Sequence, residues 1–272
     1  MIKDIAEAQA AGEIAEIYEE IRKLWGVSYV SAVHRYMASR PGLLEWAWTA
    51  VGAGFRDGRA QAAAHHIVDA LDIAELNRIG PAELAAWNID DDARITVRAI
   101  ADNFVRVAPV NMMFAALLQR VIAQDMAISP SLSQAAWPTP APLPPLPVMV
   151  AIDALDTSAR ADIMRFASDM DGRPFVPGLY RMLANWPALL AHLARVMPHQ
   201  LASQATALTY DTIRRRIDAA AAEFALTMPA SNLGITRPCD DELRQFQAIA
   251  TTYRKTSPEM IVAGTMIARA VA

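Results

Sequence analysis

The two halves of the sequence resemble each other. Residues 15–44 and 161–190 align without a gap at an offset of 146 positions, and nine of the thirty aligned residues are identical. Composition alone would give roughly two or three matches in a chain so rich in Ala and Leu. A second block recurs at an offset of 149, where Ala99-Ile100-Ala101 returns as Ala248-Ile249-Ala250. The repeat predicts two copies of one helical unit about a pseudo-twofold axis, with a pocket between the copies.

Apolar residues recur at helical spacing through most of the chain, so we predict an all-α fold. The apolar positions of residues 5–21 lie among acids and bases and predict a helix of about twenty residues. Acidic clusters at 90–92 and 240–242 predict the starts of two matching helices, because acids are favoured at the positive end of the helix dipole.

Prolines also mark predicted boundaries. Pro41 and Pro187 each lie near the expected start of a helix, where a missing N–H costs nothing. Ser257-Pro258-Glu259 predicts an N-cap, a first-position proline and a first-turn acid for the last helix.

Seven of the seventeen prolines lie in residues 128–147. Such a segment is typical of an extended, semi-rigid spacer, and a PxxP peptide ligand is the alternative interpretation. We therefore expect helical repeat 1 at residues 1–127, a proline-rich linker at 128–149 and helical repeat 2 at 150–272.

Composition excludes several classes of protein. With 54% hydrophobic and 20% charged residues the chain can build a core, and a net charge of −4 gives no reason to expect nucleic acid as a partner. A single cysteine, Cys239, excludes an internal disulfide framework. Acids near the N-terminus argue against a signal peptide, and no apolar stretch looks long enough to span a membrane. We expect a soluble cytoplasmic protein, and a homo-oligomer is left open.

The chain resembles the group I 2-haloacid dehalogenases, which hydrolyse both enantiomers of short 2-halocarboxylic acids. The similarity covers most of the chain and is clearest in residues 18–22, 35–48, 97–109 and 183–187. It implies an all-helical pair of repeats with the active site between them. It also implies hydrolysis without a metal or a covalent intermediate, in which an aspartate, helped by an asparagine, activates water to displace the halide.

The resemblance also places the family's functional positions on this sequence. The aspartate falls on Leu179 and the serine before it on Gly178, whereas the helper asparagine falls on Ala108. The aromatic pocket wall, a tryptophan and a phenylalanine, falls on Tyr29 and Ala32. Leucine cannot accept a proton and alanine cannot hold a water, so the family's water-activating pair is absent at these positions.

Other residues in the repeats are candidates for the site. His34 and Arg35 in the first copy correspond to Tyr180 and Arg181 in the second. His34 and Tyr180 are the candidate catalytic residues, and the arginines are candidates for binding a carboxylate. Ser257 corresponds to Ala108 and is assigned to the pocket. The alternative is that His34 is a partly exposed packing residue and that the arginines tie the repeats together or cap helix ends.

No metal site or cofactor is expected. His65, Asp69 and Asp72 share one predicted helix face, but they lie opposite its apolar face and indicate a solvated surface. The sequence thus predicts a 2-haloacid dehalogenase-like protein with a pocket for a small molecule, a carboxylate among the candidates. Two alternatives stay open: an enzyme of different chemistry on a larger or more apolar substrate, or a non-catalytic protein that binds a ligand or partner.

Overall fold

The computed structural model describes residues 4–123, 139–170, 173–226 and 236–272. Within these ranges the chain is helical apart from one short hairpin, so the predicted all-α class is confirmed. The helices are α1 (Gly12–Trp25), α2 (Ala32–Ala38), α3 (Leu43–Val51), α4 (Ala53–Arg56), α5 (Arg59–Asp69), α6 (Pro81–Ala86), α7 (Asp91–Ile122), α8 (Thr157–Met164), α9 (Gly178–Leu183), α10 (Pro187–Leu201), α11 (Gln204–Ala225) and α12 (Asp240–Ala270). The strands are β1 (Ser168–Met170) and β2 (Arg173–Phe175).

The first predicted helix is shorter than expected. A 3-10 turn at Glu7–Gln9 precedes α1, and the two are separated by extended backbone at Ala11. Gly12 follows with φ of +57°, a left-handed conformation that interrupts a regular helix. From there the apolar face of α1 is buried, and the helix ends at Gly26, which adopts the left-handed conformation typical of a C-terminal cap.

The acidic clusters do mark helix starts. Asp91 and Asp92 lie in the first turn of α7, and Asp240, Asp241 and Glu242 lie in the first turn of α12. The prediction at Pro187 is also confirmed, because this residue is the first of α10. After Pro41, in contrast, α3 begins only at Leu43, with Gly42 at φ of +76° as its N-cap.

The predicted helix start at Ser257-Pro258-Glu259 is wrong. α12 runs without interruption from Asp240 to Ala270, with Pro258 inside it. The Ser257 hydroxyl donates to the carbonyl of Tyr253, 2.7 Å away and four residues earlier in the same helix. A serine in this back-bonded arrangement is an interior helix residue and not a cap.

The small hairpin was not predicted from the sequence. β1 and β2 pair antiparallel, with Ser168 opposite Phe175 and Asp169 opposite Pro174. Each strand has only three residues, too few for an alternating pattern to be recognised.

Length and apolar composition would allow α7 to cross a membrane, whereas no membrane-spanning stretch was expected from the sequence. Its most apolar 18-residue window has a mean hydropathy of 1.3, and 67% of that window is buried inside the protein. Burial in the protein's own core accounts for this apolar composition equally well.

The described residues pack into two compact units, each assembled from three chain segments. Unit 1 comprises Met1–Ala70, Val107–Leu143 and Ile213–Ser257. Its core includes an aromatic cluster formed by Trp25, His34, Trp48, Phe55 and Phe114.

Unit 2 comprises Leu71–Arg106, Pro144–Thr212 and Pro258–Ala272. Leu179 and Tyr180 are completely buried in its core. The internal repeat, and the boundaries expected at residues 127 and 149, stay predictions. Of the expected linker, residues 128–138 lie outside the described residues, and 139–149 have no regular secondary structure.

Candidate functional site

His34, the candidate base, lies in α2 and is completely buried in unit 1. Its ring centroid lies 4.9 Å from that of Trp25 and 4.8 Å from that of Phe114. Neither ring nitrogen has a hydrogen-bond partner among the described residues. Burial lowers the pKa of His34 to about 3, so the imidazole is neutral at physiological pH. This environment favours the packing role, and the catalytic assignment of His34 stays a prediction.

The two arginines assigned to carboxylate binding both have partners within the protein. Arg35 pairs with Asp4, with 3.2 Å between Nη2 and Oδ2. Arg181 donates from Nε to the carbonyl of Val150 at 3.1 Å, and the Val150 N–H donates back to the carbonyl of Arg181 at 3.1 Å. Each contact joins two segments within one predicted repeat, so neither arginine contact links the two predicted repeats to each other. Their role toward a ligand stays a prediction.

The positions assigned to the first half of the pocket differ in burial. Tyr29 is half-buried and Ala32 is exposed, whereas Ala108 is buried in α7. One turn beyond Ala108 on the same helix lies Asn111, which is completely buried. Sequence reasoning missed Asn111, although it is the sole polar residue in the apolar run from 107 to 118.

Asn111 is the centre of a buried polar cluster in unit 1, formed with Ser31, Tyr253 and Ser257. Its Nδ2 donates to the Ser31 hydroxyl at 2.5 Å and to the Tyr253 hydroxyl at 3.0 Å. Burial raises the pKa of Tyr253, and the hydrogen bonds from Ser31, Asn111 and Ser257 oppose that shift. Asn111 Oδ1 is buried and has no partner among the described residues. The cluster is therefore a set of uncharged polar side chains in which one buried acceptor, Asn111 Oδ1, lacks a donor among the described residues.

Asn103 and Asn111 offer a matched test, because both side chains are completely buried in α7. Neither amide atom of Asn103 has a hydrogen-bond partner in the described part of the chain. We expect Asn103→Leu, which keeps the shape of the side chain, to raise the free energy of unfolding by about 1 kcal/mol. Asn111→Leu should lower it by about 1–3 kcal/mol, since Ser31 and Tyr253 lose their donor.

Urea denaturation of the two variants and the wild type measures both effects. A loss of stability in Asn103→Leu as large as that in Asn111→Leu would show that Asn103 is satisfied by a bound water or ligand.

Unit 2 contains a hydrogen-bonded acid–base pair, Tyr180 and Glu259. Tyr180 lies in α9 and donates its hydroxyl to Glu259 Oε1 of α12 at 2.8 Å. The Phe166 ring stacks on that of Tyr180, with 4.0 Å between centroids and 11° between planes. The phenol is thus held in place from its face and from its hydroxyl end.

The pKa shifts of Tyr180 and Glu259 indicate which of the two donates a hydrogen bond and which can accept a proton. Burial raises the pKa of Tyr180 well above its ordinary value, and the nearby charge of Glu259 raises it further. Tyr180 is therefore a permanent donor, and the carboxylate is the group able to take up a proton. Burial also raises the pKa of Glu259, which the hydrogen bond from Tyr180 opposes. Glu259 is half-buried, and its Oε2 receives no hydrogen bond from the described residues.

Tyr180 was a candidate from the sequence, but Glu259 was missed. The sequence Ser257-Pro258-Glu259 was interpreted as a helix start, where an acid needs no further explanation. Tyr180 and Glu259 are 79 positions apart in the sequence. Only the packing of α9 with α12 within unit 2 reveals the pair.

The family positions on α9 cannot carry the family's side chains without change. Leu179 is completely buried, so an acid there would lose its hydration. A Cβ atom on Gly178 would lie 2.9 Å from Met149 Cε and 3.4 Å from Phe104 Cζ, so the Met149 side chain takes the space that a serine needs. Met149 is a residue of the predicted linker, and the far end of its flexible side chain would have to shift to admit a serine at position 178.

Among the described residues no group of three or more His, Cys, Asp or Glu side chains is placed to hold a metal ion. α5 ends at Asp69, so Asp72 lies beyond the helix face on which the sequence placed it with His65. The sole cysteine of the sequence, Cys239, is exposed.

Comparison with known proteins identifies solved structures with a similar fold. No protein-family model and no curated protein sequence matches the chain. Solved structures do match. A D-2-haloacid dehalogenase mutant in complex with D-2-CPA has a TM-score of 0.75 and 16% identity, over 100% of this chain and 96% of that one. A D-2-halacid dehalogenase mutant has a TM-score of 0.75 and 15% identity, over 100% and 96%. A D-2-haloacid dehalogenase with L-LA has a TM-score of 0.72 and 17% identity, over 100% and 97%.

The chain has a haloacid dehalogenase-like fold. The match extends over the whole chain, which agrees with the extent of the resemblance found in the sequence. On this dehalogenase-like fold, Glu259 is a half-buried carboxylate that accepts a hydrogen bond from the buried Tyr180 hydroxyl.

Proposed function

We propose that this protein hydrolyses a small 2-substituted carboxylic acid, with a 2-haloacid as the substrate class, and that Glu259 is the general base. The observation that carries the proposal is the 2.8 Å hydrogen bond from the buried Tyr180 hydroxyl to Glu259 Oε1. A carboxylate that is held in place by a hydrogen bond and has a raised pKa is suited to taking a proton from water.

The pair is suited to base catalysis in three respects. A raised pKa makes the Glu259 carboxylate a stronger base than an exposed glutamate. The phenol of Tyr180 stays protonated, so it can fix Oε1 across the working pH range. Oε2 is then left to accept a proton from water.

The location of the pair supports the same assignment. Tyr180 directly follows Leu179, the position at which the resemblance places the family's aspartate. Glu259 brings a carboxylate to this turn of α9 from another helix, α12. We infer that the base is supplied by α12 in this protein and that its carboxylate still lies next to α9.

In the proposed reaction a water oxygen attacks C2 of the substrate as Glu259 Oε2 takes one proton from that water. The carbon–halogen bond breaks and the halide leaves with the bonding electron pair. The products are the 2-hydroxy acid, the halide and a proton that Glu259 returns to solvent, so the step needs no redox partner. Solved relatives of this fold bound D-2-CPA and L-LA, which supports a small 2-substituted acid as the ligand.

Halide release from racemic 2-chloropropionate and 2-bromopropionate, measured from pH 6 to pH 10, tests the proposal. A racemate is used because the group I enzymes act on both enantiomers. We expect release above a heat-inactivated control, with bromide released faster than chloride because bromide is the better leaving group. No release at high enzyme concentration would reject hydrolytic dehalogenation and favour one of the two alternatives, a different reaction or a non-catalytic binding role.

A further inference from the structure

We propose that residues 4–10 form a strap that detaches from unit 1 and thereby opens the buried polar cluster around Asn111 to solvent. No side chain of this segment is buried in the protein. The segment is joined to α1 through Gly12, which has φ of +57°. A Cβ atom at Gly12 would meet no atom of another described segment within 4 Å, so this hinge is not packed against other parts of unit 1. The strap can therefore move while α1 stays in place.

Two ion pairs hold the strap to unit 1. Glu7 Oε2 lies 2.5 Å from Arg22 Nη1 of α1, and Asp4 Oδ2 lies 3.2 Å from Arg35 Nη2 of α2. All four side chains are 25–35% exposed, so dissolved salt screens both pairs. A segment that is held by partly exposed charges and buries none of its side chains opens at a lower free energy than the core of the unit.

Glu7 also connects the strap to the polar cluster. Its Oε1 accepts a hydrogen bond from the Val30 N–H at 2.8 Å. The next residue, Ser31, is the N-cap of α2, and its hydroxyl accepts from Asn111 Nδ2 at 2.5 Å. Ser31 is only 4% exposed while the strap is in place. Loss of the Glu7 carboxylate therefore frees the backbone directly before Ser31.

Ile5 attaches the strap to the other end of α2. Its N–H donates to the carbonyl of Arg35, in the last turn of that helix, at 3.1 Å. Its carbonyl accepts from the Tyr18 hydroxyl of α1 at 3.0 Å. The strap thus contacts the backbone on both sides of α2, through Glu7 before the helix and through Ile5 at its end. Detachment removes both contacts together, and Ser31 at the N-cap becomes accessible.

The reactivity of a cysteine at position 31 measures the opening. In Ser31→Cys, the uncharged reagent iodoacetamide reaches this thiol only when the cluster opens. Mass spectrometry follows the labelling of position 31 and of Cys239, which is exposed and serves as the internal reference. We expect Glu7→Gln to raise the labelling rate at position 31 about tenfold, the effect of losing a hydrogen bond to a charged group. The rate at Cys239 should stay the same.

The response to salt distinguishes a strap held by charges from an ordinary structural contact. An increase in NaCl from 0.05 M to 1 M should raise the labelling rate at position 31 about threefold when Asp4 and Glu7 are native. In the double variant Asp4→Asn/Glu7→Gln, labelling should be fast at both salt concentrations. Glu13→Gln is the matched control, because Glu13 is exposed in the first turn of α1, and it should keep the wild-type response.

Amide hydrogen exchange tests the same opening in chains that keep Ser31. The Val30 amide should exchange faster in Glu7→Gln than in the wild type, while the amides of α3 exchange at an unchanged rate. Unchanged labelling and exchange in Glu7→Gln, an equal acceleration in α3, or a salt response that persists in the double variant would each overturn the proposal. These measurements need no substrate, so their outcome is independent of the proposed hydrolysis.

Discussion

Glu259→Gln should lower the rate of halide release from 2-bromopropionate by about two to four orders of magnitude, the usual contribution of a general base. Glutamine keeps the shape of the side chain and an oxygen that can accept from Tyr180, but it cannot take up a proton. Initial rates at pH 8 under saturating substrate measure the effect. A change in kcat with little change in KM would place the loss in the chemical step.

Two further variants separate catalysis from structure. Glu19→Gln makes the same chemical change at an exposed position of α1 and should leave the rate unchanged. Tyr180→Phe keeps the ring that stacks on Phe166 but removes the hydroxyl. Because the hydrogen bond from that hydroxyl lowers the pKa of Glu259, its loss should raise the pKa. The acid limb of its pH–rate profile should therefore move to higher pH. A Glu259→Gln variant that kept more than about half of the activity would reject Glu259 as the base.

The second large effect is expected in the pH dependence of stability, at His34. The pKa of His34 is about 3 in the folded protein, against an ordinary value of 6.5, because burial disfavours the imidazolium. Between these values the unfolded chain binds a proton that the folded chain does not. Unfolding therefore becomes easier as the pH falls below 6.5, and stability from this source is fully present only above it. By pH 4 the loss from His34 amounts to about 3 kcal/mol.

His34→Phe should abolish this part of the acid sensitivity, since phenylalanine keeps a ring between Trp25 and Phe114 and cannot titrate. Urea denaturation at pH 4, 5, 6, 7 and 8 measures the free energy of unfolding. The curves of the variant and the wild type should diverge as the pH falls. His66→Phe, at an exposed position of α5, is the control and should run parallel to the wild type. Parallel curves for His34→Phe would show that the imidazole takes up a proton as readily in the folded protein as in the unfolded chain.

The fold was predictable where the signal is local. Helical periodicity identified the all-α class, and acids in the first turns located the starts of α7 and α12, because both effects depend on neighbours in sequence. The same local rules failed at Pro258. Proline favours a helix start, but burial of residues on both sides of it in α12 outweighs one missing hydrogen bond. At Gly12, in contrast, a helix predicted to be continuous over residues 5–21 is interrupted, because this residue adopts a positive φ.

The candidate site was predictable only in part. Tyr180 came from the repeat, but its partner Glu259 depends on packing between α9 and α12, which no spacing reveals. Asn111 could have been found as a polar residue inside an apolar helix stretch, yet its contact with Ser31 joins residues 80 positions apart. His34 shows the reverse case. Its residue type suggested chemistry, while its aromatic surroundings favour packing.

The composition of the two units has a consequence for how the protein is made. Unit 1 takes its last segment, Ile213–Ser257, from a region that ends within α12, and unit 2 takes its last segment, Pro258–Ala272, from the remainder of that helix. Translation proceeds from the N-terminus, and a unit can close only when all of its segments have emerged. Unit 1 therefore cannot be completed before Ser257 has been synthesised, nor unit 2 before the segment Pro258–Ala272. Until then, the apolar residues of α7 that are buried in the folded protein stay exposed on the nascent chain, a condition that favours aggregation.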